Sequence, residues 1–529
     1  MLSSKSTYRR LTITIILGLL IPAMACNFPL REQASISGLG LQPTLTVLAS
    51  TVQADQTPMA ATGEEQAALP AEELPPRTPP AFATPAPPIP GLGDDGPHFT
   101  YFTQSGDTLS AVAKRFSVDP DQIASSVPVP LGQMLPPGQE LLIPDQVGDA
   151  AYFEPLLPDS EVIYSPSTID FDIQGFFDRA GGYLSSYGET VKGEWLSGSE
   201  IVQKVALENS INPRLLLAIL EFRSGWVLGE PTDPGALGHP IGFYVPDFEG
   251  LYYELVLTAT HLGVGYYGWR SGELTWLTFQ DGSSARVNPG LNAGSVALQA
   301  LFSKLNDQVE WRENLYSLEG LLPVYQQMYG DPWARAAQVE PLFLPGLEQP
   351  VLELPFASGE RWSFTGGPHL SWNSGSPRGA LDFSPVTGEP ACTTSKAWVR
   401  SSAAGRVTRA GDNVVAVDLD GDGHEGTGWV LIYLHIVDQD MVSPGTWVEV
   451  DQPLGHPSCE RGKSTGTHVH LARKYNGEWI SADGSIAYIL SGWEVQAGER
   501  SYQGALIKED QSVTANPGGP SSSLIIRDE

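Results

Sequence analysis

Along the chain the spacing of apolar residues changes several times, and each change predicts a different kind of segment. Residues 11–24 form one largely apolar run behind Lys5, Arg9 and Arg10. From 27 to 97 the pattern dissolves into Ala, Pro, Thr and Gln with Pro-Pro and Ala-Pro repeats. Such a composition cannot hold a packed core and predicts an extended spacer. Between 98 and 146, Phe99-Thr-Tyr-Phe-Thr reads as a strand and Leu109, Val112, Ala113 and Phe116 form one face of a helix capped by Asp107 or Thr108. A second short helix is expected around Gln122 to Ser125, after Val118-Asp119-Pro120, and Gly138 to Pro144 closes the module as a strand. Residues 150–345 carry helical spacing at Glu200–Glu208, Pro213–Phe222, Leu251–Leu262 and Leu291–Leu305. Asn212-Pro213 starts one of these helices, with Pro in its first turn. From 350 to 500 the period shortens. Arg406–Arg409, Asn413–Asp418, Trp429–Ile436, Thr446–Val450 and His468–Lys474 read as strands between Gly, Pro, Asp and Asn. Residues 505–529 are mostly polar and broken by Asn516-Pro-Gly-Gly-Pro520, which predicts a flexible tail and leaves Leu524-Ile525-Ile526 unexplained. The expected architecture is multidomain: a small α/β module (βααβ), an α-helical middle domain and an antiparallel all-β C-terminal domain.

Composition narrows the setting. A chain of 529 residues has room for about three or four domains. Its formal net charge of −31 argues against nucleic acid as a partner and against electrostatic attraction to anionic lipid. The charged residues before the run 11–24 give residues 1–26 the form of an export signal. Ala23-Met24-Ala25-Cys26 resembles a bacterial lipoprotein signal, although Ala23 stands where leucine is usual. That resemblance implies acylation of Cys26 and a membrane anchor; simple secretion or an uncleaved anchor is the alternative. All of these put the working domains outside the cytoplasm.

The candidate chemistry lies in the strand-rich segment. In Gly466-Thr467-His468-Val469-His470 two histidines stand two residues apart, so on a strand they project to one face. A pair so placed serves as metal ligand and catalytic base side by side. An isolated His-x-His is more often a pair of partly exposed strand histidines, but here further signals accompany it. Tyr433-Leu434-His435-Ile436 places a histidine near the end of an apolar strand. Leu381-Asp382-Phe383 places one acid between two apolar residues, where a carboxylate needs a partner. Gly366-Gly367-Pro368-His369 reads as a histidine on a turn.

Over roughly residues 355–495 this set resembles the M23 zinc metallopeptidases, in particular their β-lytic (staphylolysin-type) branch. The resemblance implies one zinc ion on His369, Asp382 and His470, with His435 and His468 as the catalytic pair. It implies hydrolysis of peptide bonds in peptidoglycan stems or cross-bridges. In the larger M23 group the metal-binding His stands four residues before the Asp, a place held here by Arg378. The β-lytic spacing supplies His369 from a longer loop instead.

Two upstream segments carry resemblances of their own. Gly106-Asp107-Thr108-Leu109 and Gly138-Gln139 to Ile143-Pro144 resemble a LysM domain. This implies binding of N-acetylglucosamine-containing glycans such as peptidoglycan, with Gly106, Asp107, Thr108 and Leu109 as glycan-binding residues. Loss of that affinity is the alternative. Ile211 to Trp226 resembles the catalytic-helix region of lysozyme-like lytic transglycosylases, in which a Glu directly precedes the Ser. Arg223 precedes Ser224 here, and a guanidinium does not protonate a leaving oxygen. Glu221, two residues earlier on a helix, points elsewhere. The expectation is a lysozyme-like domain without glycosidase activity, against an active one using Glu221 or an unrelated helical domain.

Cys392 and Cys459, two of the three cysteines, fall in the strand-rich domain outside the cytoplasm and are expected to form a disulfide rather than two free thiols. Asp418-Leu-Asp420-Gly-Asp422-Gly423 spaces acids as a calcium loop does, but Trp429 stands where an EF-hand has its Glu. An acidic hairpin turn is the preferred reading and calcium the weaker one. The rival accounts of the whole chain are a non-catalytic peptidoglycan-binding protein or activator of other wall hydrolases, and a peptidase aimed at other secreted proteins.

Overall fold

The computed structural model describes residues 97–129, 132–148, 150, 154–462, 464–520 and 522–528. The signal-like segment with Cys26, and the spacer up to residue 96, lie outside the described residues.

In the first module, β1 (His98–Phe102) pairs antiparallel with β2 (Glu140–Pro144), Tyr101 opposite Leu141. Between them α1 (Leu109–Phe116) buries Leu109, Val112, Ala113 and Phe116. Its cap is Thr108, whose hydroxyl accepts from the Ala111 amide. Asp107 is instead buried in an ion pair with Arg115 and accepts from the Tyr101 hydroxyl at 2.6 Å. The expected second helix is a single 3-10 turn at Pro120–Gln122. It begins earlier than predicted because Pro120 supplies the fixed φ that opens a turn.

The middle region is helical, with α2 (Ile173–Ala180), α3 (Gly198–Asn209), α4 (Pro213–Ser224), α5 (Leu251–Arg270), α6 (Ala293–Leu305), α7 (Gln308–Tyr316), α8 (Leu321–Tyr329) and α9 (Pro332–Ala336). Ser197 and Glu200 form a capping box at the start of α3, and the Asn212 side chain caps α4. In α4, Leu215 to Leu220 are all fully buried. A helix apolar on every side belongs at the centre of a fold, and its neighbours wrap it.

The C-terminal region is built on a nine-stranded antiparallel sheet. Its principal strands are β3 (Arg361–His369), β4 (Ala380–Pro385), β5 (Gly405–Gly411), β6 (Val414–Asp418), β7 (Trp429–Leu434), β8 (Trp447–Val448) and β9 (Val469–Tyr475). Along the sheet the order is β8-β5-β6-β7-β9-β4-β3, with a final strand beyond β3. One face carries Leu381, Phe383, Leu431, Tyr433 and Leu471 into the region's own core. The other carries Ala380, Val414, Ile432, Leu434 and Ala472, packed with Trp372, Trp479 and Tyr267 of α5. Two covered faces explain why these strands read as apolar runs rather than as alternation.

The helical region therefore joins the sheet instead of standing apart. The Tyr266 hydroxyl donates to Glu478 Oε1 at 2.6 Å, and Arg270 bridges Glu478 and Asp159 at 2.7 and 2.9 Å. The Tyr267 hydroxyl accepts from the Trp479 amide at 2.9 Å. Arg461 meets Glu208 of α3 at 2.8 Å.

The tail expected to be flexible is ordered. Gly504–Lys508 and Gln511–Thr514 form a hairpin in a four-stranded sheet, and Leu524–Ile526 pairs with β3 as the edge strand of the large sheet. The unexplained apolar end is thus a strand that buries Ile525 against the core. Arg527 behind it donates to the Phe356 carbonyl and pairs with Asp451. Polar composition hid this because a strand of three residues gives almost no periodic signal.

Two expectations follow. Ile525→Ala should lower unfolding free energy by about 2–5 kcal/mol in urea titrations; a change under about 0.5 kcal/mol would return the tail to a dispensable role. Burial pushes the Glu208 carboxyl up, but Arg461, Lys204 and Lys192 draw it down to about 2. Its folded value thus lies below the ordinary 4.5, so its ion pairs stabilise fully above that pH and are lost as pH falls towards 2. The difference in urea midpoint between the protein and Glu208→Gln should hold from pH 7 to about 5 and shrink below. A difference independent of pH would contradict this.

Candidate metal centre

Register across three strands assembles the site. On β9, His470 lies opposite Asp382 of β4 on one side and Leu434 of β7 on the other. Asp382 lies opposite Gly366 of β3, and His369 ends that strand opposite Ala380. His369 is therefore a strand residue and not part of a loop. Two register shifts, around Gly366, turn it onto the face of Asp382. The glycine pair has a steric cause. A Cβ at Gly366 would stand 2.5 Å from Asp382 Oδ2, and one at Gly367 would stand 2.7 Å from the Gln503 backbone.

The three expected ligands converge. His369 Nε2 lies 3.0 Å from His470 Nδ1. Asp382 Oδ1 lies 3.2 Å from the first and 3.4 Å from the second. All three residues are buried, with exposures of 1%, 6% and 1% for His369, Asp382 and His470. The far ring nitrogens fix where the protons are. His369 Nδ1–H donates to the Gly367 carbonyl at 2.9 Å and His470 Nε2–H to the Ser371 carbonyl at 3.0 Å. The facing nitrogens are then lone pairs, pointing at each other and at a carboxylate oxygen that has no hydrogen-bond donor. Three lone-pair atoms around one point, buried, fit a cation, and two N and one O donors suit zinc in a site open to a further ligand.

The same crowding shifts the ionisations. Burial pushes the Asp382 carboxyl up, but His369 and His468 hold it well below the ordinary range. For His369, burial pulls down and the Asp382 charge wins, raising its pKa. Burial lowers His470.

His435 and His468 stand beside this cluster, ring centroids 4.4 Å apart. His468 Nε2 is 3.7 Å from Asp382 Oδ1, so both histidines of the His-x-His do face one pocket. His435 Nδ1–H donates to the Glu460 carbonyl at 2.8 Å and His468 Nδ1–H to the Gly466 carbonyl at 2.7 Å. Each keeps Nε2 available. Burial, then the charge of His468, lowers His435 to about 3, so it is neutral at neutral pH. It leaves β7 with left-handed backbone, φ +66°, which few non-glycine residues adopt outside special sites.

Cys392 and Cys459 are disulfide-bonded across a separation of 67 residues. On the chain-entropy account that cross-link stabilises by about 4 kcal/mol at most. It pins the segment that supplies the Glu460 carbonyl.

Sequence reading missed Tyr502 and gave Arg378 no role. The Tyr502 ring stacks on His369 at 4.2 Å between centroids. Arg378 donates to the Pro368, Gly498 and Arg500 carbonyls at 3.2, 2.9 and 3.0 Å, tying the loop before Tyr502 to the residue before His369. A cation standing four residues before Asp382 was the signal for that clamp.

The four residues expected to bind glycan lie at the turn into α1 and in its first residue. Asp107 and Leu109 are buried within the first module, and Thr108 caps α1. A Cβ at Gly106 would stand 2.9 Å from an Arg270 guanidinium nitrogen and 3.0 Å from the Phe343 ring. These residues build the module and dock it on the helical region. Elsewhere, Glu221 Oε2 accepts from the Val227 and Leu228 amides, both at 2.9 Å, and Arg223 Nε donates to the Ile241 carbonyl at 2.8 Å. Asp418, Asp420 and Asp422 hold carboxylate oxygens within 4.8 Å of one another. The Asp420 and Gly423 amides already occupy Asp418.

Two family models match: "LasA, N-terminal domain" over residues 155–342 and "LysM domain" over 101–144. Protease LasA of Pseudomonas aeruginosa is 28% identical over 291 residues, 52% of this chain and 66% of that protein. Beta-lytic metalloendopeptidase of Achromobacter lyticus is 30% identical over 160 residues, 29% of this chain and 40% of that protein. The chain thus spans just under two thirds of the LasA protein and less of the other. Among solved structures, the M23 metalloprotease pseudoalterin from the deep sea aligns at 23% identity with a TM-score of 0.27, covering 32% of this chain and 96% of that one.

The geometry predicts one zinc per chain with pH-dependent affinity. Protons compete for the ligand nitrogens, and the raised His369 carries that competition upward. Chelator competition should show affinity at least about tenfold weaker at pH 5.5 than at 7.5. Equal affinity at both would contradict the ligand assignment.

Proposed function

Because this chain is homologous to the LasA and beta-lytic peptidases, we propose that it is a zinc endopeptidase hydrolysing peptide bonds of peptidoglycan stems or cross-bridges. The observation that carries this reading is the convergence of His369 Nε2, His470 Nδ1 and the donorless Asp382 Oδ1 beside the His435–His468 pair. A zinc ion held by His369, Asp382 and His470 would supply a Lewis acid that acidifies water and polarises a scissile carbonyl.

The chain's own groups do the proton work. His435 is neutral and its Nδ1–H is engaged, so Nε2 presents a lone pair that takes a proton. His468 is held in the same tautomer on the other side of the pocket. The Nε2 that accepts the attacking water's proton becomes an N–H donor, which steadies the oxyanion and then passes the proton to the leaving amine. Buried ring carbonyl contacts keep both imidazoles oriented before substrate arrives, which limits reorganisation during reaction.

The match of residues 101–144 to the LysM domain supports a wall polymer as substrate. The helical region is read as a scaffold of lysozyme-like resemblance without glycosidase activity. In support, Glu221 Oε2 accepts from two amides and Arg223 Nε donates to a carbonyl. An extracytoplasmic location, lipid-anchored through Cys26 or secreted, agrees with the disulfide, which persists in oxidising compartments. Among the described residues no helix is long and apolar enough to cross a membrane. Asp418, Asp420 and Asp422 are read as an acidic turn closed by its own amides, with calcium the weaker alternative.

Purified wall incubated with the full chain should release free amines, and casein should not. His435→Ala and His468→Ala should each lower turnover by about 10²–10⁴ while retaining zinc. Glu221→Gln should leave it unchanged. Undiminished turnover in both histidine variants, or cleavage of casein alone, would overturn the reading.

A further inference from the structure

Two backbone carbonyls orient the reacting imidazoles. Ser371 fixes His470 and Glu460 fixes His435. Both carbonyls sit in connecting segments, and both segments are gripped by the last two residues of one helix in the helical region.

The first grip runs through Glu208, 5% exposed near the end of α3. Its Oε1 accepts from Arg461 Nη2 at 2.8 Å, and Arg461 directly follows Glu460. Arg461 also lies 4.9 Å over the Trp372 ring and donates to the Asp412 carbonyl. The second grip runs through Asn209. Its side-chain carbonyl accepts from Asn373 Nδ2 at 2.5 Å, and the same amide reaches the Thr260 hydroxyl of α5 at 3.1 Å. Asn373 is two residues past Ser371, and the buried Trp372 lies between them. Around Glu460 the anchoring is tight: Cys459 is in the disulfide, and Ser458 donates its amide and hydroxyl to the His435 carbonyl at 2.8 and 3.0 Å. Only the side after Glu460 depends on the helical region.

We propose that Glu208 and Asn209 are positioning residues of the peptidase site, holding through Arg461 and Asn373 the carbonyls that orient His435 and His470. The helical region then completes the site rather than accompanying it. Loss of the Glu208 grip lets the Glu460 carbonyl swing. His435 loses the bond that keeps its proton on Nδ1, and Nε2 is no longer reserved as base. Loss of the Asn209 grip frees the Ser371 carbonyl, and His470 loses the bond that keeps its proton on Nε2 and a lone pair on Nδ1. Groups that orient functional imidazoles from behind commonly matter about 10- to 100-fold.

This inference rests on the peptidase reading, so its test includes a measurement that needs neither activity nor metal. In the metal-free full chain, histidine-labelled NMR would follow solvent exchange of the His435 Nδ1–H. His456, whose Nδ1–H donates to the Ala397 carbonyl at 2.8 Å, is the internal control. Glu208→Gln should speed exchange at His435 by about tenfold or more and leave His456 unchanged; general destabilisation would speed both. In the zinc-loaded chain acting on wall, Glu208→Gln and Asn209→Ala should each lower kcat about 10- to 100-fold with KM within about twofold. If Glu208→Gln does not fold, Arg461→Lys, which keeps the charge and loses the fork, takes its place in both measurements. Unchanged His435 exchange, or equal acceleration at His456, would overturn the proposal. A wild-type chain that binds no zinc and cleaves nothing would instead overturn the peptidase reading, and the exchange result would stand by itself.

Discussion

A carboxylate buried without a donor is the constraint around which this protein is arranged. Asp382 is carried inward by a strand whose neighbours, Leu381 and Phe383, belong to the opposite face of the sheet. Its Oδ1 meets two imidazole nitrogens that present lone pairs because their far nitrogens are committed to carbonyls. Leaving a buried charge so placed is costly, by several kcal/mol even after relaxation. A cation resolves the conflict among all three atoms at once. The positions of His369 and His470, the bulges at Gly366 and the exclusion of any side chain there serve that arrangement.

The face of the sheet that carries Asp382 also carries Ala380, and the face that carries His470 also carries Ala472. Both alanines belong to the cluster packed with Tyr267 of α5. Asp382 and His470 thus lie on the side of the sheet on which Tyr267 of α5 packs. Through Glu478, Trp479, Lys474 and Arg461 the sheet exchanges hydrogen bonds and charges with α3 and α5. Tyr267 of α5 is part of the wall that closes the sheet's second apolar layer.

The sequence displayed the chemistry more clearly than the architecture around it. His468 and His470 were legible because a two-residue spacing on a strand has one geometric meaning. Asp382 was legible because an acid between apolar residues demands an explanation. The principal helices and strands followed from periodicity. Glu208–Arg461 and Asn209–Asn373 were not legible, since their partners lie 253 and 164 residues apart and no local pattern encodes them. The strand at Leu524–Ile526 was too short to carry a period, and its pairing with β3 is equally remote. Gly106 to Leu109 were legible as a motif, but a motif does not say whether its residues face a ligand or hold the turn that makes the fold.

The most direct test of the account is the metal content of the purified full chain, measured by mass spectrometry beside His470→Ala and combined with anomalous diffraction at the zinc edge. The account predicts about one zinc per chain, bound between His369 Nε2, His470 Nδ1 and Asp382 and lost in the variant. A folded protein without zinc, or one whose zinc survives His470→Ala, would contradict it.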